Sequence, residues 1–252
     1  MFAKYPEARD IPALRQLWQE AFGDDDAFLD KFFSTGYHQN RCRVVMQANK
    51  AAAALYWFDC HWEGKKLAYL YAVATAKAFQ GQGLCRRLME DTHRLLAEQG
   101  YAGGILVPGS DNLFNMYEKM GYRTISTIRE FTQVAGEEVF PLEKISGAEY
   151  ALRRKAMLPA GGIVQEGAGL AFLETYAAFY VGNGCLLCGI QDGQKLIVPE
   201  FLGDTSHIPG ILRYLSCKEG SFRTPGEGKP FAMYHCLTDD VAAPTYLGHA
   251  YD

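Results

Sequence analysis

The chain has 252 residues, 48% of them hydrophobic and 21% charged, with a net charge of -4, which is the composition of a folded globular protein rather than a disordered one. No basic patch is concentrated anywhere in it, which argues against a nucleic-acid surface, since such a surface must neutralise phosphates. The longest uninterrupted apolar run, at 51–58, is far too short to span a bilayer, and the opening stretch MFAKYPEARDIPAL carries charges where a signal peptide would be apolar. A soluble, cytoplasmic chain with no membrane partner is the expectation.

In chain order, residues 10–22 begin with Asp10 and an early Pro12 and place Leu14, Leu17, Trp18 and Ala21 on one helical face; Gly23 ends the helix. The run 24–33 reads as a second helix capped by one of Asp24, Asp25 or Asp26, a job preferred over attracting a cationic acceptor. Strands follow at 41–47, 52–62 and 67–75, separated by turns at Asn49-Lys50 and Glu63-Gly64. A helix is predicted over 84–99 with Leu84, Leu88, Leu95 and Leu96 facing the core and Gly100 just past its end. A short buried strand at 103–109, a helix at 111–120 closed by Gly121, and a strand at 122–134 complete the first half.

The second half repeats the theme in reduced form: a helix at 170–180, a hairpin of 184–190 and 194–202 around Asp192-Gly193, a helix at 208–217, and strands at 220–226 and 229–237. GQGLCRRL aligns with IPGILRYL, Gly83 over Gly210 and Leu88 over Leu215, and VPGSDNLFNMY aligns with TPGEGKPFAMY without a gap. These matches raise a decayed internal duplication as a hypothesis. The seven cysteines are odd in number and scattered, and the lone CxxC of Cys185 and Cys188 has no second cysteine or histidine pair to complete a zinc site. They read as buried small hydrophobes, with no metal.

The chemistry points to Gln80-Gly81-Gln82-Gly83, set between an apolar strand and an amphipathic helix. The first turn of a helix leaves N–H groups without partners and its dipole favours negative charge, while glycines let a phosphate approach the backbone. The guest is therefore expected to be a phosphorylated cofactor. The Walker pattern is absent, and the dinucleotide fingerprint fails because Arg86 stands where its third glycine belongs.

Gln80 and Gly83 satisfy the first two fixed positions of Q/R-x-x-G-x-G/A, and Cys85 holds its last, small position. With NMYEKMGY some thirty residues downstream, at 115–122, the chain resembles the GNAT superfamily of N-acetyltransferases over residues 1 to about 135. The resemblance implies an α/β fold with a mixed sheet: an acetyl-CoA-binding catalytic domain at 1–135, followed by a smaller, degenerate GNAT-like domain at 136–252. It implies that Gln80, Gly81, Gln82, Gly83, Leu84 and Cys85 cradle the pyrophosphate of acetyl-CoA, with Phe79 before them also cofactor-binding. Val73, Ala74 and Thr75 would pair with the pantetheine arm and hold the thioester carbonyl, with Ser110 and Phe114 contributing to the same arm. Tyr117 would protonate the departing thiolate as a neutral amine attacks the thioester. The acceptor would be the primary amine of a small molecule or a peptide; neither it nor an oligomeric state is named by the residues.

Three departures matter. Ser110 stands where the family often has an asparagine. Cys85 replaces a glycine or alanine. The strand before the loop has no glutamate to act as base, which leaves a water chain or His61, Asp59, Tyr69 or Tyr71. Arg86 and Arg87 either meet the cofactor's phosphates or form a solvated face, and His93 reads as surface or packing. In the second half Ile208 and Pro209 replace Gly81 and Gln82, and proline removes an N–H that a phosphate would need. By analogy with the enhanced-intracellular-survival type, the terminal carboxylate of Asp252 is a further candidate base. A non-catalytic CoA-binding sensor or interaction module is the alternative from another class.

Overall fold

The computed structural model describes residues 3–239 and 242–251. The first half runs α1 (Ile11–Phe22), α2 (Asp26–Lys31), β1 (Cys42–Gln47), β2 (Lys50–Trp62), β3 (Lys65–Thr75), α3 (Leu84–Glu98), β4 (Gly103–Leu106), α4 (Asp111–Glu118), β5 (Arg123–Thr124) and β6 (Thr127–Val134). The second runs β7 (Glu143–Ile145), α5 (Gly147–Met157), β8 (Val164–Gln165), α6 (Ala168–Glu174), β9 (Ala178–Gly182), β10 (Cys185–Asp192), β11 (Lys195–Leu202), α7 (Ile208–Tyr214), β12 (Glu219–Pro225), β13 (Lys229–Pro230) and β14 (Met233–Cys236).

The local signals act as the sequence suggests. Gly23 ends α1 in the left-handed conformation at a φ of 79°, and Asp25 is the residue that caps α2, accepting from the Phe28 N–H at 2.8 Å. Asp24 has a different task, accepting from the Trp18 indole N–H at 2.8 Å. On β2 the side chains alternate: Tyr56, Phe58, Cys60 and Trp62 enter one apolar core, and Leu55 and Trp57 the opposite one. The α3 helix packs Leu84, Leu88, Met89 and Leu96 onto the Trp57 side; Leu95 is only half-buried.

The two sheets share one strand order. The first is β1-β2-β3-β4-β14-β5, with β8 pairing on β2; the second, read from its far edge, is β7-β9-β10-β11-β12-β6-β13. In both, an antiparallel meander feeds a helix that returns a parallel neighbour: β3 to α3 to β4, and β11 to α7 to β12. The next strand in each sheet comes from the other half of the chain. β14 enters the first sheet between β4 and β5, and β6 enters the second between β12 and β13. A single cut at residue 135 therefore does not separate the sheets. The cluster between them takes Tyr56 and Phe58 from the first half together with Phe172, Phe179 and Leu186 from the second.

Three expected elements are corrected. The run 122–134 is not one strand: it breaks at Ile125 and Ser126, where β5 and β6 leave for different sheets. The helix expected over 170–180 ends at Glu174, and Phe179, Tyr180 and Val181 pair instead with β10 as β9. The run 229–237 is likewise not one strand: β13 joins the second sheet and β14 the first, so beyond Pro108/Pro225 and Gly109/Gly226 the sequence alignment sets α4 against strands, and Tyr234, aligned with Tyr117, is a strand residue buried in the first sheet.

Candidate active site

The site begins where two parallel strands part. β3 and β4 pair only at Leu67 with Gly103, Ala68 with Gly104 and Tyr69 with Ile105; β3 then continues to Thr75 while β4 ends at Leu106. A bulge on β3 adjoins the gap. Between the couples Tyr56/Tyr71 and Ala54/Ala74, β3 carries one residue more than β2, and Ala72 adopts a φ of 47°. A bulge takes its extra residue out of the ladder and re-aims the local backbone, here at Ala72 and Val73, both of which line the cleft.

The cleft is a cavity of about 630 Å³. From the β4 exit and α4 it is lined by Ser110, Phe114 and Tyr117, and from β3 by Tyr69 and Tyr71. Trp18 and Phe28 close one side, and the second half contributes Phe231 and Tyr251. The Tyr117 phenol is 5% exposed; burial, and then the neighbouring Cys85 thiol, push its pKa well above that of free tyrosine, which keeps it protonated at neutral pH. Burial likewise pushes the Cys85 thiol up, so it is not a thiolate.

The glycine loop stands beside this cavity at the start of α3. Gly81 and Gly83 both adopt a φ of 74°, a conformation glycine reaches without strain, and no atom lies within 4 Å of where a Cβ would be. Gly83 is the N-cap of α3 and no side chain caps the helix, so its first-turn N–H groups face outward over an open surface. The Gln80 amide donates to the Thr75 carbonyl at 3.2 Å, tying the loop back to the end of β3.

Of the residues singled out from sequence, Val73, Ser110, Phe114 and Tyr117 line the cavity together. Gln80, Gly81, Gln82, Gly83, Leu84 and Cys85 form the adjoining helix start, Ala74 is buried at the strand end, and Thr75 and Phe79 are half-buried beside it. Tyr69 and Tyr71 reach the cavity, with their hydroxyls donating to the Ala250 carbonyl at 2.6 Å and the Tyr251 carbonyl at 2.9 Å. Asp59 does not: Arg41 holds it at 2.6 and 3.0 Å on another part of the sheet. His61 faces Glu166 at 3.5 Å. Asp252 lies outside the described residues. Arg86 donates to the Lys119 carbonyl at 3.2 Å, bracing the end of α4. His93 is buried, at 2.8 Å from the Tyr122 hydroxyl and stacked on His235.

Among the described residues, the second half presents no equivalent loop. Gly210 lies inside α7, and the backbone N–H groups of Gly136 and Phe140 donate to the Pro209 and Gly210 carbonyls, covering the helix start. The position of β11 matching Tyr71 is Glu200, fully buried against Arg154. Sequence reasoning missed Trp18, Phe28, Phe231 and Tyr251 as cavity residues; none belongs to a motif, and only tertiary packing assembles them. All seven cysteines are free, and no cluster of metal ligands occurs among the described residues. No helix among those residues is long and apolar enough to cross a membrane.

A family model described as an acetyltransferase (GNAT) domain matches residues 3–125. That segment belongs to the GNAT family, and the class of protein is an acyltransferase. Solved structures agree in fold across both halves. A GCN5-related N-acetyltransferase from Anabaena variabilis superposes with a TM-score of 0.71 at 15% identity, over 94% of this chain and 72% of that one. One from Kribbella flavida gives 0.70 at 13%, over 92% and 70%. Eis1 from Mycobacterium abscessus gives 0.67 at 8%, over 94% and 74%. A search of curated proteins returns no match.

Proposed function

We propose that this protein transfers the acetyl group of acetyl-CoA to a primary amine, with Tyr117 as general acid. The observation that carries the reading is the closeness of three parts: the bulge at Ala72 and Val73 and the buried, protonated Tyr117 line one cleft, and the uncapped start of α3 lies next to it, with Cys85 beside Tyr117. The first-turn N–H groups of α3, with Gly81 and Gly83 allowing close approach, would hold the pyrophosphate. The arm would enter between the diverging β3 and β4, beside Ser110 and Phe114, leaving the thioester near the bulge.

Backbone N–H groups at the bulge would stabilise the charge that develops on the acyl oxygen when the neutral amine attacks. The C–N bond forms, the C–S bond breaks, the sulfur takes the Tyr117 proton, and the amine's surplus proton passes to water in the cleft. The second half would serve as a GNAT-like module without a cofactor of its own, closing the acceptor side through Phe231 and Tyr251. A cytoplasmic location is part of the same reading.

The test is turnover: acetyl-CoA with a panel of primary amines, read as release of free thiol. Amine-dependent release that falls in Tyr117→Phe supports the reading. Acetyl-CoA binding without release from any amine would instead favour a CoA-binding module.

A further inference from the structure

A second cavity, of about 770 Å³, lies next to the cleft. The two share Phe28 and Arg223 in their walls, so they are neighbours across those two side chains. Its floor is the face of the second sheet that α7 leaves uncovered. Strand alternation makes this so: Leu196, Val198 and Phe222 point toward Ile211 and Leu212 of α7, while Ile197 and Ser221 point the other way. Ile197 sits opposite Ile190 on β10, and Ser221 opposite Thr132 on β6. Phe28 and Tyr176, with ring centroids 5.7 Å apart, form an aromatic wall at the end nearest the cleft.

The one carboxylate in this groove is already paired. Arg223 donates to the Glu130 carboxylate at 2.8 Å, and Lys229 reaches its other oxygen at 2.5 Å. Both cations hold the Glu130 carboxyl below its usual range, although burial pushes it the other way. Among the described lining residues Glu130 and Arg223 are the only formal charges, and they are paired with each other, so the rest of the groove offers largely apolar and aromatic surface. Ile197 is 45% exposed there, a large aliphatic side chain facing water.

We infer that this groove seats the body of the acceptor, and that the acceptor is a small primary amine with an extended apolar tail, alkyl or aryl. The inference rests on the acyl-transfer reading for the amine's position: the amine would lie in the cleft near Tyr71 and Tyr251, and the tail would pass Phe28 and run along Ile197. The wall shared with the cleft at Phe28 and Arg223, and a lining in which Glu130 is already paired and the rest is largely apolar and aromatic, both favour such an occupant over a polycation or polyanion.

Binding is tested first, without turnover. Dansylcadaverine, a primary amine with an aromatic body, is titrated against the full chain and followed by its own fluorescence. Saturable enhancement that Ile197→Glu weakens tenfold or more supports the groove. Equal affinity in the parent and in both Ile197→Glu and Ser221→Trp, each at an exposed position, overturns it. Turnover then separates the inference from the reading beneath it. From butylamine to octylamine kcat/KM should rise on the order of a hundredfold, about fourfold per buried methylene, with the KM for acetyl-CoA unchanged. Ile197→Glu should flatten that series. If glycinamide and putrescine turn over as well as octylamine, the acceptor class is wrong and the transfer reading stands. If dansylcadaverine binds in the groove but no amine releases thiol, the groove stands and the transfer reading fails.

Discussion

Replacing Arg154 by methionine should destabilise the whole chain, because it strands a buried carboxylate. Glu200 is fully buried and Arg154 only 1% exposed; the guanidinium donates to both carboxylate oxygens, at 2.6 and 2.9 Å. Tyr150, Tyr246 and His249 complete the shell at 2.8, 2.9 and 3.2 Å. Burial alone would push the Glu200 carboxyl up, but Arg154 and then His249 hold it well below the usual range. Breaking such a pair from one side costs about 3–5 kcal/mol, against a total stability of about 5–15 kcal/mol. In urea the midpoint should fall by roughly 1–2 M. The double variant Arg154→Met with Glu200→Leu should recover part of the loss, since no charge is then left unpaired. The damage should also reach the cleft. Gln165 exchanges two hydrogen bonds with the backbone of His249, at 2.8 and 3.0 Å, and the next residues, Ala250 and Tyr251, line the cleft beside Tyr117. A midpoint for Arg154→Met within about 0.3 M of the parent, or a double variant no better than the single, would refute the reasoning.

Three further outcomes follow from the geometry. Tyr117→Phe should lower kcat by a factor of about 10²–10⁴, the usual contribution of a positioned acid, with the acetyl-CoA KM little changed; steady-state kinetics decides it. Gly83→Ala places a Cβ in open space but forces a left-handed φ, a strain of about 1–2 kcal/mol, so acetyl-CoA affinity should fall about tenfold by calorimetry. Burial, with His235 beside it, lowers the His93 pKa from 6.5 to about 3. The unfolded chain therefore binds a proton that the folded chain refuses between those values, and stability falls as pH drops below 6.5. His93→Gln should flatten that acid limb in urea melts between pH 6.5 and 4.5, above the range where Glu200 contributes.

The parts of this architecture set by local rules were legible. Alternation on β2, the Gly23 stop, the Asp25 cap and the glycine pair before α3 are short-range signals, and the order of elements through α4 followed from them. The α5 helix carries a local mark as well, since Ser146 caps it by accepting from the Glu149 N–H at 3.2 Å. The exchange of β6 and β14 between sheets carries no local mark. Each strand reads as β wherever it pairs, and its partner is set more than a hundred residues away for β14. The end of α6 failed for a related reason: Ala177 and Ala178 suit a helix, but pairing with β10 draws Phe179, Tyr180 and Val181 into a strand. At the site, motif spacing located the loop and Tyr117, whereas Trp18, Phe28, Phe231 and Tyr251 converge only through the packing of the two halves.

The central claim is that the start of α3 and the gap between β3 and β4 bind acetyl-CoA, and thermal unfolding with that ligand, with ATP and NAD as controls, tests it most directly. At 100 times its dissociation constant, a ligand of the native state adds about 2.7 kcal/mol, a shift of several degrees in a chain of this size. The account predicts that shift with acetyl-CoA alone, reduced in Gly83→Ala. No shift with acetyl-CoA, or a shift with NAD in its place, would contradict it.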